Sequence, residues 1–366
     1  MPETTASAAS DTSVATLEPA FDDGVVVVLS ANERYVPYVS VVLQSIKENA
    51  DPARNYDVVV LNTDISLESQ ERLIAQVSSE NFSLRFYSAM PIMKSYSHLR
   101  VYGHFKIETY YRLIVPQIMP HSQKAVYLDS DLVVLTDVAR LYDVEMGDNL
   151  IAATHDADTA GMYNGYDPDM KAYIDNVLKL DNPYDYFQAG VLVMNLEAFR
   201  ARYTTREMLE CAASRHWNLL DQDVLNYLAR GSVCYVDMAW NTLMDWEHLR
   251  RYFIIGLAPM TLREAYEKAR RHPYIVHYAG PDNKPWEYRD ADMGAYFWDY
   301  ASRCPYCEQL SRDLEAAVHS SAYRLQRIGH FWLYQIIMRS GQIFAPPRSQ
   351  IRATVYQIYH LLGGKN

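Results

Sequence analysis

The chain alternates between short unbroken apolar runs and longer stretches in which apolar residues recur every three or four positions. Gly24 to Leu29 reads Gly-Val-Val-Val-Val-Leu, a β-branched run suited to a strand covered on both faces. A polar turn, Ser30 to Tyr35, follows. Val36 to Glu48 then places Val39, Val42, Leu43 and Ile46 on one helical face. Strand, polar turn and helix open a Rossmann-like unit, whose ligands lie beyond the carboxyl ends of the strands. The rhythm continues with a strand over Asp57 to Leu61, a helix over Ser66 to Ser78 and a strand over Ser83 to Tyr87. Thr109 to Pro116 predicts a helix stopped near its proline, and Ala125 to Leu128 a buried strand. Val138 to Tyr142 reads as a short helix and Leu150 to Thr154 as another strand. His155 to Asp185 is polar and rich in Tyr, Gly, Asp, Asn and Pro, which predicts a long excursion over the surface, suited to a substrate mouth. Tyr186 to Asn195 is an apolar strand opened by small residues. Leu220 to Asn226 starts a helix that Asp221 could cap. Tyr274 begins a strand that ends in His277, a Gly-Pro turn and Lys284.

Length and composition narrow the class. The chain has 366 residues, 49% hydrophobic and 22% charged, which describes a globular protein with a substantial core. The net charge of −11 argues against a nucleic-acid partner, because binding phosphates takes a basic face. No apolar run reaches the ~18 residues of a membrane span. Residues 1–23 have neither a basic start nor an apolar core segment and read as a disordered leader rather than a secretory signal. The four cysteines include Cys304-Pro-Tyr-Cys307, with no second pair to complete a zinc site. Free cytosolic thiols are the expected state.

The chemistry centres on Asp129-Ser130-Asp131. In extended chain, side chains at i and i+2 point the same way, so two carboxylates share one side of a strand end. A hard divalent cation between them relieves their repulsion, and such a site leaves coordination positions for substrate oxygens. Ser30, Ala31, Asn32 and Tyr35 lie in the first turn, where a base or ribose would be held, although Asn32 would equally serve as a helix cap. Arg112 is a lone cation among apolar neighbours; it either pairs with a nearby carboxylate or faces a diphosphate. Gly190 permits close approach of another backbone or a ligand. His277 offers a neutral nitrogen ligand and Lys284 a counter-charge for phosphate. No Gly-rich phosphate loop is present.

Taken in order, the first-strand loop, Thr-Tyr-Tyr-Arg-Leu, Tyr-Leu-Asp-Ser-Asp, Phe-Gln-Ala-Gly-Val-Leu-Val-Met-Asn, Asp-Gln-Asp and His-Tyr-Ala-Gly…Lys-Pro-Trp resemble the family 8 glycosyltransferases. Described bacterial members of that family extend lipopolysaccharide with galactose or glucose. The resemblance implies an α/β fold of GT-A type, a Rossmann-like, mixed but mainly parallel sheet flanked by helices. It also implies Mn²⁺, with Mg²⁺ as the alternative, a UDP-hexose donor and retention at the anomeric carbon. By position, Asp129, Asp131 and His277 match the metal ligands, with Ser130 between the two aspartates. Ser30, Ala31, Asn32 and Tyr35 match the uridine loop, with Asn32 in place of a frequent Asp. Arg112, Gly280 and Lys284 match residues near the diphosphate. Gln188 stands beside the donor sugar, where Asn is more frequent, and Asp221 matches a residue that binds sugar hydroxyls. Gln222 lies nearest the anomeric carbon. An amide is a poor nucleophile, so the resemblance favours front-face transfer. Residues 24–286 are the expected catalytic domain and residues 287–315 a helical extension. A non-catalytic sugar-nucleotide-binding protein on the same fold is the alternative, prompted by Asn32 and Gln188.

From Ala316 onward the chain has no acid. Arg324, Arg327, Arg339, Arg348, Arg352 and Lys365 are interleaved there with Phe331, Trp332, Leu333, Tyr334, Ile336, Ile337 and Tyr356. A basic aromatic tail on an acidic protein, residues 316–366, suggests an anchor for an anionic membrane surface. The alternative is a helical cap on the catalytic domain. The expected acceptor is a glycan or a lipid-linked precursor, and the expected location is the cytoplasm or the inner face of the plasma membrane.

Overall fold

The structure, a computed structural model, describes residues 15–102, 106–246, 249–280 and 283–320. Among the described residues ten strands form two sheets. In chain order they are β1 (Val25–Ser30), β2 (Tyr56–Asn62), β3 (Phe82–Ser88), β4 (Lys124–Leu128), β5 (Leu132–Val134), β6 (Ile151–His155), β7 (Phe187–Asn195), β8 (Val233–Tyr235), β9 (Thr242–Leu243) and β10 (Ile275–His277). The larger sheet has the order β3-β2-β1-β4-β7-β6-β8 and the smaller one β5-β10-β9. In the larger sheet β7 alone runs antiparallel to its two neighbours. The start of β7 therefore lies at the carboxyl end of β4, where the sheet's ligands are expected.

The valine run of β1 is buried along its length because both faces of the sheet are covered. Val25, Val27 and Leu29 enter one core with the helix Val36–Asn49, while Val26 and Val28 enter the other with the segment Ile107–Ile118. This is the two-residue alternation of a strand working on both faces at once. Phe297, Ala301, Cys304, Tyr306 and Leu310 join the first core, so the helices Gly294–Ala301 and Cys307–His319 pack on the body that carries β1. The Asn49 amide donates to the Tyr300 hydroxyl at 2.7 Å across that contact. All four cysteines are free. No helix among the described residues is long and apolar enough to cross a membrane. The basic residues Arg324 to Lys365 lie outside the described residues. The expected disordered leader is bonded to the body from Ala15 onward: the Tyr87 hydroxyl donates to the Ala15 carbonyl and the Leu17 N–H to the Ile118 carbonyl, each at 2.7 Å.

Two expectations of local structure are corrected. Pro116 does not stop a helix. Ile107–Ile114 is 3₁₀-wound, and Pro116 sits in the first turn of the next helical piece, Val115–Ile118. A first-turn N–H has no intrahelical acceptor, so losing it is harmless there. Residues 155–185 are not an open excursion either. They wind into Ala157–Gly161, Met162–Tyr166, Pro168–Tyr173, Ile174–Leu178 and Pro183–Asp185. The polar residues that read as loop signals are caps: Asp156 accepts from the Thr159 N–H, Asp167 from Asp169 and Met170, and Asn182 from Tyr184.

This segment packs tightly on the chain near Ile254. A Cβ on Gly161 would lie 2.0 Å from the Ile254 carbonyl oxygen, and backbone cannot step aside as a side chain can. Gly161→Ala is expected to cost about 2 kcal/mol or more of folding stability, measured by urea unfolding.

Candidate active site

The chain crosses from the larger sheet to the smaller at Asp129-Ser130-Asp131, between β4 and β5. Each of the three residues is pinned by a different strand or its flank. The Asp129 N–H donates to the Gly190 carbonyl at 2.8 Å and the Tyr278 N–H to the Asp131 carbonyl at 2.9 Å. The Ser130 hydroxyl donates to the Ser30 carbonyl at 2.7 Å. The tripeptide therefore cannot shift as a flexible turn would.

Its two carboxylates meet His277, at the end of β10. Nε2 of His277 is 3.1 Å from Asp131 Oδ1 and 3.7 Å from Asp129 Oδ2. Ligand atoms of the three residues all lie within 4.8 Å of one another. Lys284 completes the cluster, with its ammonium 2.6 Å from Asp131 Oδ2 and also donating to the Tyr278 carbonyl. Burial would push the Asp131 carboxyl up, but Lys284 and His277 hold it well below the usual carboxylate range. Gly190 forms the floor. A Cβ there would come 2.2 Å from His277 Cε1 and 2.7 Å from Asp129 Oδ2.

Arg112 stands behind the aspartates, and its alternatives resolve toward pairing. One nitrogen donates to Asp129 at 2.7 Å, Nε lies 2.8 Å from Asp221 Oδ2, and Nη1 donates to the Ala189 carbonyl. The guanidinium lies 4.2 Å over the Tyr127 ring. Asp221 is not a side-chain cap of its helix, Leu220–Leu228. It takes Arg112 and the Thr109 hydroxyl instead. The cap-like bond belongs to Asp223, which accepts the Leu219 N–H at 2.7 Å. Burial pushes the Asp221 carboxyl up to about 6, with Arg112 and Thr109 pulling against it and the Asp129 charge adding to the rise.

The two glutamines are anchored. Gln222 accepts the Ala189 N–H at 2.9 Å and donates to Asp156 at 3.1 Å. Gln188 accepts the Gly190 N–H and the Asn241 amide, each at 2.6 Å. In the first turn, Asn32 does cap, accepting the Tyr35 N–H at 3.3 Å, and its amide nitrogen donates to Glu108 at 2.8 Å. Ala31 is buried beside it. Burial, with the Asp131 charge adding to it, raises the Tyr35 hydroxyl above its ordinary range. Gly280 has φ +114°, and a Cβ there would lie 2.2 Å from the Trp246 indole. Only glycine fits that turn.

The sequence reading missed Asn241, Asp156 and Glu108. Asp156 carried a usable signal, an acid placed directly after an apolar strand at its carboxyl end. Asn241 and Glu108 carried none, because their partners lie 36 and 76 residues away.

A carboxylate and imidazole cluster lies at the carboxyl edge of a mainly parallel sheet, where an α/β fold of this kind binds its ligand. The chain belongs to glycosyl transferase family 8, whose profile matches residues 26–290. It is 24% identical over 269 residues to the general stress protein A of Bacillus subtilis, covering 71% of this chain and 86% of that one. It is 24% identical to the lipopolysaccharide 1,3-galactosyltransferase of Salmonella typhimurium, covering 54% of this chain and 55% of that one. Among solved structures, the galactosyltransferase LgtC, with donor and acceptor sugar analogues, superposes with a TM-score of 0.61 at 26% identity, over 76% of this chain and 96% of that one. The bifunctional glycosyltransferase WbbM gives a TM-score of 0.71 at 29% identity, over 81% of this chain and 53% of that longer one.

Proposed function

We propose that the protein is a metal-dependent, retaining hexosyltransferase that moves glucose or galactose from a UDP-sugar to a glycan or lipid-linked acceptor. The observation that carries this reading is the convergence of Asp129, Asp131 and His277 ligand atoms within 4.8 Å, in a family 8 chain. Two carboxylates and an imidazole suit a borderline-to-hard divalent ion, and Gly190 leaves the room that a Cβ would fill. Asp129, Asp131 and His277 would hold Mn²⁺ or Mg²⁺, which when bound supplies Lewis-acid neutralisation of the leaving diphosphate.

The chain's own residues do the rest. Ser30, Ala31, Asn32 and Tyr35 hold the uridine. The turn at Gly280 brings Lys284 in as a further positive charge for the diphosphate. Arg112 fixes Asp129 and Asp221 relative to each other, so that Asp221 can accept sugar hydroxyls in a set geometry. Gln222 has both ends of its amide engaged and is a poor nucleophile. This supports front-face transfer, in which the acceptor hydroxyl attacks on the side the diphosphate leaves and passes its proton to the leaving phosphate oxygen. The basic tail from Arg324 to Lys365 fits an anionic membrane surface on the cytoplasmic side, where lipid-linked acceptors would be met.

The test is UDP release and product mass with UDP-glucose and UDP-galactose, with and without Mn²⁺ and acceptor. Absence of both donor binding and UDP release with either donor in Mn²⁺ would overturn the reading. A pH dependence also follows. Asp221, at about 6, takes up a proton as pH falls through that value and becomes a weaker partner for Arg112 and for sugar hydroxyls. The profile of kcat/KM, which reports the free enzyme, is expected to fall about tenfold per pH unit below 6, and Asp221→Asn should remove that limb at a lower plateau.

A further inference from the structure

We propose that Asn241 is a positioning residue that holds a hydrogen on Nδ1 of His277, so that Nε2 is the nitrogen offered to a cation between Asp129 and Asp131. The inference rests on the metal-site reading above and adds to it the relay that makes His277 a ligand. The relay starts at a group with no freedom. The Gly190 N–H can only donate, and it donates to Gln188 Oε1 at 2.6 Å. Donor and acceptor both belong to β7. The same oxygen meets the Asn241 amide at 2.6 Å. An oxygen can only accept, so the atom Asn241 turns toward it is its NH₂. Its other arm is then the carbonyl oxygen, which lies 2.9 Å from His277 Nδ1. A carbonyl accepts, so Nδ1 carries a hydrogen, and Nε2, which meets Asp131 Oδ1 at 3.1 Å, is the nitrogen left to give up its proton to a cation there.

The fold holds the relay in register. Asn241 immediately precedes β9, which pairs with β10 so that Leu243 lies opposite His277, and the Met244 N–H donates to the His277 carbonyl at 3.0 Å. Asn241 and His277 are both buried, so water does not compete for either group. Metal-bound histidines commonly donate their second nitrogen to such a partner, and losing it weakens metal binding about 10–100-fold. The relay also gives Gln188 a role beyond its expected place beside the donor sugar. Its carbonyl oxygen is occupied by two donors, so it shapes the metal site and is not a free acceptor for the donor sugar.

The first measurement needs neither metal nor donor. Two-bond ¹H–¹⁵N spectra of the full-length protein with ¹⁵N-histidine read which ring nitrogens carry hydrogen; His277→Gln identifies the peak. Wild type should show a hydrogen on Nδ1. Asn241→Leu, which has no acceptor, should lose that preference and weaken Mn²⁺ binding in the presence of UDP by about 10–100-fold, read from the free Mn²⁺ signal by electron paramagnetic resonance. Asn241→Asp keeps an acceptor toward Nδ1, although its other oxygen then faces Gln188 Oε1, and should retain the hydrogen on Nδ1. A wild-type ring with hydrogen on Nε2 alone overturns the proposal without recourse to any variant. So does an Asn241→Leu protein, folded by circular dichroism, that binds Mn²⁺ like wild type. Failure of wild type to bind Mn²⁺ at all would instead refute the metal-site reading, with the tautomer result still standing.

Discussion

Asp131→Asn is expected to lower UDP-hexose turnover by about three orders of magnitude. The aspartate meets His277 at 3.1 Å and Lys284 at 2.6 Å, so one carboxylate organises both nitrogen groups. An amide there removes a negative charge from a cluster that must hold a divalent cation, and it leaves Lys284 without its ion-pair partner. A metal supplies several kcal/mol of charge stabilisation in the transition state, and ~4 kcal/mol corresponds to about a thousandfold in rate. Asp143→Asn is the control. Its ion pair with Arg54 is half exposed and contributes little, so the same change of charge at the surface should leave turnover near wild type. Wild-type turnover that persists in excess chelator, or an Asp131→Asn enzyme within tenfold of wild type, would remove the metal assignment.

The second large effect is expected from a single methyl group. Gly190→Ala places a Cβ 2.2 Å from His277 Cε1, 2.7 Å from Asp129 Oδ2 and 2.9 Å from Gln188 Oε1. The strand cannot retreat, because Gly190 lies in β7 and its carbonyl accepts the Asp129 N–H. His277 and Asp129 must therefore move apart. Overpacking of this kind costs about 1–3 kcal/mol of stability, and displacing reacting groups by about 1 Å costs about a hundredfold in rate. Denaturant unfolding and steady-state kinetics on the same preparation separate the two losses. Gly256→Ala, whose new Cβ would find its nearest neighbour at 3.4 Å, is the matched control. A Gly190→Ala enzyme with normal kinetics would mean that the floor of the site is not where the geometry puts it.

The parts of this molecule that were legible in the sequence are those where one local pattern has one physical cause. β1, β2, β4 and β7 each carry a run of consecutive apolar residues because both sheet faces are covered, and they fall within a residue or two of expectation. The i, i+2 spacing of Asp129 and Asp131 sufficed to place two carboxylates together. Bringing in His277, 146 positions away from Asp131, took a family resemblance, because spacing holds no information about that distance. Two kinds of feature stayed hidden. Caps and loops use the same residues, so Asp156, Asp167 and Asn182 read as surface loop when each begins a helical turn. Side-chain amides and charges choose partners through the tertiary fold, so the pairing of Arg112 with Asp129 and Asp221 left no local mark. Neither did the pairing of Gln188 with Asn241.

The crossing of the chain at Asp129-Ser130-Asp131 also makes the site a seam. Asp129 ends the larger sheet, while His277 belongs to the smaller one, whose strands β5, β9 and β10 are only three, two and three residues long. So short a sheet has few ladder bonds of its own and depends on what joins it to its neighbour. Any ligand that grips Asp129 and His277 together sews the two sheets along this line, and its binding free energy adds to the cohesion of the fold. Ligand binding there is then also a mechanical event, a link made between two sheets that the chain itself joins at this crossing.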